Sequence, residues 1–171
     1  MDIGLLQVYT GDGKGKTTSA AGLALRARSR GLRVLFAQFM KETPGGEPES
    51  LRELKVEVVR FRDVRSPLFN KEMTPERLRE AALKAIGKLR EMMPGYDLVI
   101  LDEFSHLLRP GILEDAVARE FIISRPQGTE LVITGRGAPK WLIELADLVT
   151  EMKDVKHPIR KGLKARKGIE Y

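Results

Sequence analysis

The feature that most narrows what this chain can become is Thr10-Gly11-Asp12-Gly13-Lys14-Gly15-Lys16-Thr17-Thr18, set between the apolar run Leu5-Leu6-Gln7-Val8-Tyr9 and an alanine-rich segment beginning at Ser19. Three glycines let the backbone approach a ligand closely and turn successive N–H groups into one concavity, which binds anions. Lys16 adds a point charge suited to β- and γ-phosphates, the Thr17 hydroxyl can ligate Mg²⁺, and the helix that follows presents its positive end to the same place. Strand, loop and helix together describe a polyphosphate-binding turn. One position departs from the strict pattern G-x-x-x-x-G-K-[ST]: Thr10 stands where the first glycine belongs, and Gly11 follows one place later.

The remaining pattern alternates strands with helices. Ala20, Ala21, Leu23, Ala24 and Ala27 give residues 17–30 a small-residue helical face that stops at Gly31, and Val34–Phe39 reads as the next strand. A strand-helix-strand unit implies a right-handed crossover and a parallel pair. Residues 41–50, with Thr43-Pro44-Gly45-Gly46 and Pro48, read as loop, Val56–Arg60 as a third strand, and Phe61–Met73 as irregular. Thr74-Pro75 opens a helix with Leu78, Ala82, Ile86, Leu89 and Met93 on one face, ended by Pro94-Gly95. Strand Leu98–Leu101 leads into Asp102-Glu103, a helix spans Ile112–Ile123, strand Leu131–Thr134 ends at Gly135-Arg136-Gly137, Pro139 opens a short helix through Ala146, and Leu148–Met152 is a last strand. The expectation is one domain over residues 1–171: a doubly wound, mostly parallel α/β sheet, P-loop NTPase-like and RecA-type, with ligands at the carboxyl ends of its strands.

Asp102-Glu103 sit just past a fully apolar strand, where a nucleotide-binding sheet places its metal-binding acid, so Thr17, Asp102 and Glu103 are the candidate Mg²⁺ ligands, with Mn²⁺ as a substitute ion. Arg136, at the end of the next strand, can reach the nucleotide from the same edge, although its glycine-flanked turn reads equally well as exposed loop. His106 reads as structural. With no cysteine, disulfides and thiolate metal sites are excluded. No apolar run approaches the roughly 20 residues of a membrane span, so the expected place is the cytoplasm and no membrane partner is expected. The formal charge of +6 is concentrated in Lys153, Lys156, Arg160, Lys161, Lys164, Arg166 and Lys167, a tail over residues 153–171 that would suit nucleic acid, a triphosphate or solvent. That tail lacks interleaved aromatics, which weighs against base stacking. There is no Ser/His/Asp order and no second group placed as a substrate-side base. Such a site serves a reaction whose substrate brings its own nucleophile and needs only positioning and charge stabilisation.

The chain resembles the ATP:corrinoid adenosyltransferases of the cobalamin pathway. The segments that carry the resemblance are Tyr9–Thr18 (YTGDGKGKTT), Val34–Lys41, Asp97–Glu103 (DLVILDE), Thr134–Pro139 (TGRGAP), Glu144–Met152 (ELADLVTEM) and Val155–Tyr171 (VKHPIRKGLKARKGIEY). The resemblance implies transfer of the 5′-deoxyadenosyl group of ATP to a Co(I) corrinoid with release of inorganic triphosphate. It implies Gly11, Gly13, Lys14, Gly15, Lys16, Thr17 and Thr18 on the phosphates, with Asp12 in the same loop, and Lys16 and Glu103 as the residues closest to the chemistry. It also implies a cytoplasmic homodimer that receives electrons from a donor protein. Members of that family carry an aromatic F-x-W-x-T element after the third strand; here Phe61-Arg62-Asp63-Val64-Arg65-Ser66-Pro67-Leu68-Phe69 holds no tryptophan, leaving Phe61 or Phe69 to replace it. Two rival readings stay open at this point: a P-loop ATPase or kinase with another acceptor, and a nucleotide-gated nucleic-acid-binding module.

Overall fold

A computed structural model describes residues 3–41, 46–64, 72–109 and 111–169. Six strands form one sheet: β1 (Leu6–Thr10), β2 (Val34–Gln38), β3 (Glu57–Arg60), β4 (Leu98–Asp102), β5 (Glu130–Thr134) and β6 (Leu148–Glu151). Their order across the sheet is β3-β2-β4-β5-β1-β6, and every pairing is parallel. β5 therefore lies between the strand that feeds the glycine loop and the strand that ends in Asp102.

The helices are α1 (Lys16–Ser29), α2 (Glu47–Glu53), α3 (Pro75–Met92), α4 (Asp115–Ile123) and α5 (Lys140–Leu145). Because side chains alternate across a strand, β2 sends Val34 and Phe36 to one face and Leu35 and Ala37 to the other. The first face packs on Ala20, Ala24 and Ala27 of α1 and Leu51 of α2. The second packs on Leu78, Ala82, Ile86 and Leu89 of α3, with Phe121 of α4 and Leu142 of α5. Each fully buried leucine or isoleucine in these layers contributes about 2 kcal/mol of hydrophobic stabilisation. Alanine on α1 lets that helix lie close to the sheet, which fixes its N-terminus beside the strand ends.

Thr74 caps α3 as its sequence implies, accepting the Arg77 N–H at 3.3 Å. Two expected boundaries are corrected. Residues 47–50 belong to α2 and not to a loop, because Pro48 occupies the first turn, where a proline sacrifices no helical hydrogen bond. The helix expected from Ile112 begins at Asp115, and Leu113 N–H instead returns to the Leu107 carbonyl at 3.1 Å. A 3-10 helix, Phe104–Leu108, intervenes after β4. The loop expected at Thr43-Pro44-Gly45, Pro67 and Phe69 of the irregular stretch, and Glu170-Tyr171 of the terminal motif lie outside the described residues.

Candidate active site

The glycine loop spans the end of β1 and the start of α1, and it is held from the side by the last strand. Met152 N–H donates to the Thr10 carbonyl at 2.8 Å, and Gly13 N–H donates to the Met152 carbonyl at 2.7 Å. Gly11 and Gly15 take left-handed backbone angles, φ 94° and 113°. A Cβ on Gly11 would lie 2.4 Å from the Met152 carbonyl oxygen, so only glycine fits there. The departure at Thr10 has a structural reason: its buried hydroxyl accepts the Ala138 N–H at 3.2 Å, tying the loop to the segment that precedes α5.

Lys16 folds back over this loop, its ammonium donating to the carbonyls of Gly11 and Gly13, each at 2.7 Å. Burial lowers its pKa, and the neighbouring charge of Arg136 lowers it further, against the opposing pull of Glu103, Asp12 and Asp102. Arg136 itself is exposed, so two cations, one sheltered and one in solvent, share the space over the loop. Thr17 is half-buried. Asp12, Lys14 and Thr18 are exposed on the outer side, where the Lys14 ammonium donates to the Ile169 carbonyl at 2.8 Å. The C-terminal segment thus reaches the glycine loop.

Opposite the loop, Asp102 is completely buried and accepts from Gln38 Nε2 at 3.0 Å and Thr134 Oγ1 at 2.8 Å. Burial raises its pKa. Glu103 turns the chain with φ 63°, and its carboxylate meets His106 Nε2 at 2.8 Å. Burial works to raise the Glu103 carboxyl as well, but the hydrogen bond and charge of His106, with Lys16 and Lys41, outweigh it and hold the group below the ordinary carboxylate range. His106, which reads as structural from the sequence, is thereby paired with Glu103, an acid and a histidine three residues apart being natural neighbours on one helical turn. Thr17 and Glu103 supply hard oxygen donors, the kind Mg²⁺ takes in ones and twos while completing its shell with phosphate and water. Mn²⁺ accepts the same donors.

Beside the acids, Phe39 stacks on Phe61 at 4.9 Å between centroids and meets Phe104 edge-on at 5.3 Å. Phe61 opens onto a cleft of about 820 Å³ between β3 and α3, with Val64, Met73 and Ala81 on its apolar wall and Arg62 and Lys84 on its rim.

Comparison with known proteins now decides the assignment. The family model described as ATP:corrinoid adenosyltransferase BtuR/CobO/CobP matches residues 2–171. The chain belongs to that family. It is similar to the corrinoid adenosyltransferase of Pseudomonas aeruginosa, 41% identical with 98% of this chain and 84% of the relative covered. It is likewise similar to corrinoid adenosyltransferase CobA of Salmonella typhimurium, at 37%, and to the corrinoid adenosyltransferase of Escherichia coli K12, at 36%, each match covering 98% of this chain and 86% of the relative. In this family member the glycine loop, the Asp102-Glu103 pair and the Phe61 cleft all lie at the carboxyl ends of the strands.

Proposed function

We infer that the chain is an enzyme that transfers the 5′-deoxyadenosyl group of ATP to a Co(I) corrinoid and releases inorganic triphosphate. The observation that carries this reading is a sheltered phosphate loop matched to a whole-chain family assignment. Co(I) is itself a strong nucleophile toward carbon, so the protein's task is to hold C5′ in line and to stabilise a highly charged leaving group. Lys16, the loop amides and Arg136 are placed for that charge, with Gly11, Asp12, Gly13, Lys14, Gly15, Thr17 and Thr18 forming the loop around it. Thr17 and Glu103, with Asp102 immediately behind, would hold Mg²⁺ or Mn²⁺. That ion would neutralise part of the triphosphate charge. Lys16 must leave the Gly11 and Gly13 carbonyls to meet phosphate, exchanging two neutral acceptors for an anion.

The corrinoid face is assigned to the Phe61 cleft, where a flat apolar ring next to the acids suits a macrocycle. Cytoplasmic residence is part of the same reading and is in keeping with the bacterial relatives; a homodimer and an electron-donor protein belong to it through the resemblance alone. No described helix is long and apolar enough to cross a membrane. The tail is partly neutralised, Arg160 meeting Asp154 at 2.8 Å and Lys153 meeting Glu151 at 3.9 Å, which weakens the nucleic-acid alternative. Incubation with ATP, Mg²⁺ and a chemically reduced corrinoid under anaerobic conditions tests the reading. Triphosphate with a light-sensitive alkylated corrinoid is expected; ADP or a phosphorylated acceptor would return the chain to the ATPase or kinase alternative.

A further inference from the structure

Gln38, Asp102 and Thr134 end three neighbouring strands, β2, β4 and β5. Gln38 pairs in register with Asp102, and the preceding pair, Leu101 with Ile133, sets Thr134 beside Asp102. All three side chains are buried. The Glu103 backbone N–H donates to Thr134 Oγ1 at 3.0 Å, while that hydroxyl lies 2.8 Å from Asp102 Oδ1. The direction of the chain of bonds follows from donor chemistry. A backbone N–H can only donate, so the Thr134 oxygen accepts there and its single hydrogen goes to Asp102.

The bond matters because Glu103 holds a left-handed conformation that residues with a Cβ adopt only when their surroundings impose it. From this turn the carboxylate faces His106 and the charge of Lys16. Asp102, by contrast, has no exposed surface and both its oxygens are engaged by protein donors.

We propose that Thr134 is a positioning residue: its hydroxyl, oriented by Asp102, holds the Glu103 turn so that the Glu103 carboxylate faces the cation of the metal–nucleotide complex. Asp102 acts through this hydrogen bond and not as a metal ligand. The proposal rests on Glu103 being a ligand to Mg²⁺ beside bound ATP. It separates two carboxylates that stand side by side in the sequence. Asparagine at position 102 can still accept from Thr134, and its amide can donate to Gln38 Oε1, a buried oxygen without a hydrogen-bond partner among the described residues, once the Gln38 amide turns over.

The test is equilibrium binding of a fluorescent ATP analogue with and without Mg²⁺, read as the gain in affinity that Mg²⁺ confers, alongside urea midpoints without nucleotide. Glu103→Gln removes the gain. Thr134→Val cuts it about tenfold or more, the usual cost of losing a group that orients a metal ligand. Thr134→Ser, which restores the hydroxyl, recovers it, an outcome that loss of packing alone would not produce. Asp102→Asn keeps most of the gain. An undiminished gain in Thr134→Val, or an Asp102→Asn protein as deficient as Glu103→Gln, overturns the proposal. Should the valine variant fail to fold, Asp102→Asn carries the test. A wild-type protein with no gain, or a Glu103→Gln protein that retains it, would instead remove Glu103 as a metal ligand and the proposal with it.

Discussion

Replacing Gly13 by alanine puts a methyl group against backbone that cannot rotate away. The added Cβ would lie 2.7 Å from the Met152 carbonyl oxygen and 2.8 Å from both the Lys153 carbonyl carbon and its oxygen. Real Cβ contacts do not occur at such distances, so either the loop or the end of β6 must move. Overpacking of this kind costs about 1–3 kcal/mol. Movement also loosens the bond from Gly13 N–H to the Met152 carbonyl, which adds about 1 kcal/mol. A total of about 2–4 kcal/mol lowers the urea midpoint by roughly 1–2 M at a slope of about 2 kcal/mol/M. That is within the stability of an ordinary domain, so the protein should still fold. Nucleotide affinity and triphosphate release are measured on the same variant, and adenosyl transfer should fall at least about tenfold because the loop is displaced. Gly87 in α3 serves as the control: a Cβ there meets nothing within 4 Å, so Gly87→Ala should raise stability by about 0.5–1 kcal/mol. Unfolding curves for Gly13→Ala that superimpose on wild type, with unchanged nucleotide affinity, would refute the claim that β6 shapes the loop.

Lys16→Ala should reduce triphosphate formation by about 10²-fold or more, as removal of a principal charge-stabilising group does, checked by ion chromatography of the phosphate products. Phe39→Ala should cost about 3–5 kcal/mol, since the ring is fully buried between Phe61 and Phe104; denaturant unfolding measures it. Glu103 has a depressed folded pKa, so its contribution to stability is present above the unfolded pKa and is lost as pH falls through the folded one. Urea midpoints should therefore drop less between neutral and acid pH in Glu103→Gln than in wild type.

Local chemistry in the sequence located the glycine loop, the strand that feeds it and the acidic pair at the end of β4, because each depends on neighbouring residues. Leu78, Ala82, Ile86 and Leu89 revealed the buried face of α3 through their spacing alone. Pro48 misled because a proline marks both a loop and a helical first turn, and only packing of Leu51 against the sheet decides between them. Thr134 carried no signal toward Glu103. The two are 31 residues apart, and only the adjacency of β4 and β5 brings them together. His157 likewise had no evident task in the sequence; its Nδ1 accepts the Ile159 N–H at 3.2 Å and caps the short helical turn Pro158–Lys161.

The contact between the loop and Met152 bears on when, during synthesis, the protein becomes competent. Ribosomes deliver the loop first and Met152 more than a hundred residues later. Until β6 has emerged and docked beside β1, Gly13 has no carbonyl to bond and the loop has no wall. A chain whose last strand has not docked lacks both the bond from Met152 N–H to the Thr10 carbonyl and the bond from Gly13 N–H to the Met152 carbonyl. On the reading proposed above, nucleotide binding therefore waits on the docking of β6 beside β1.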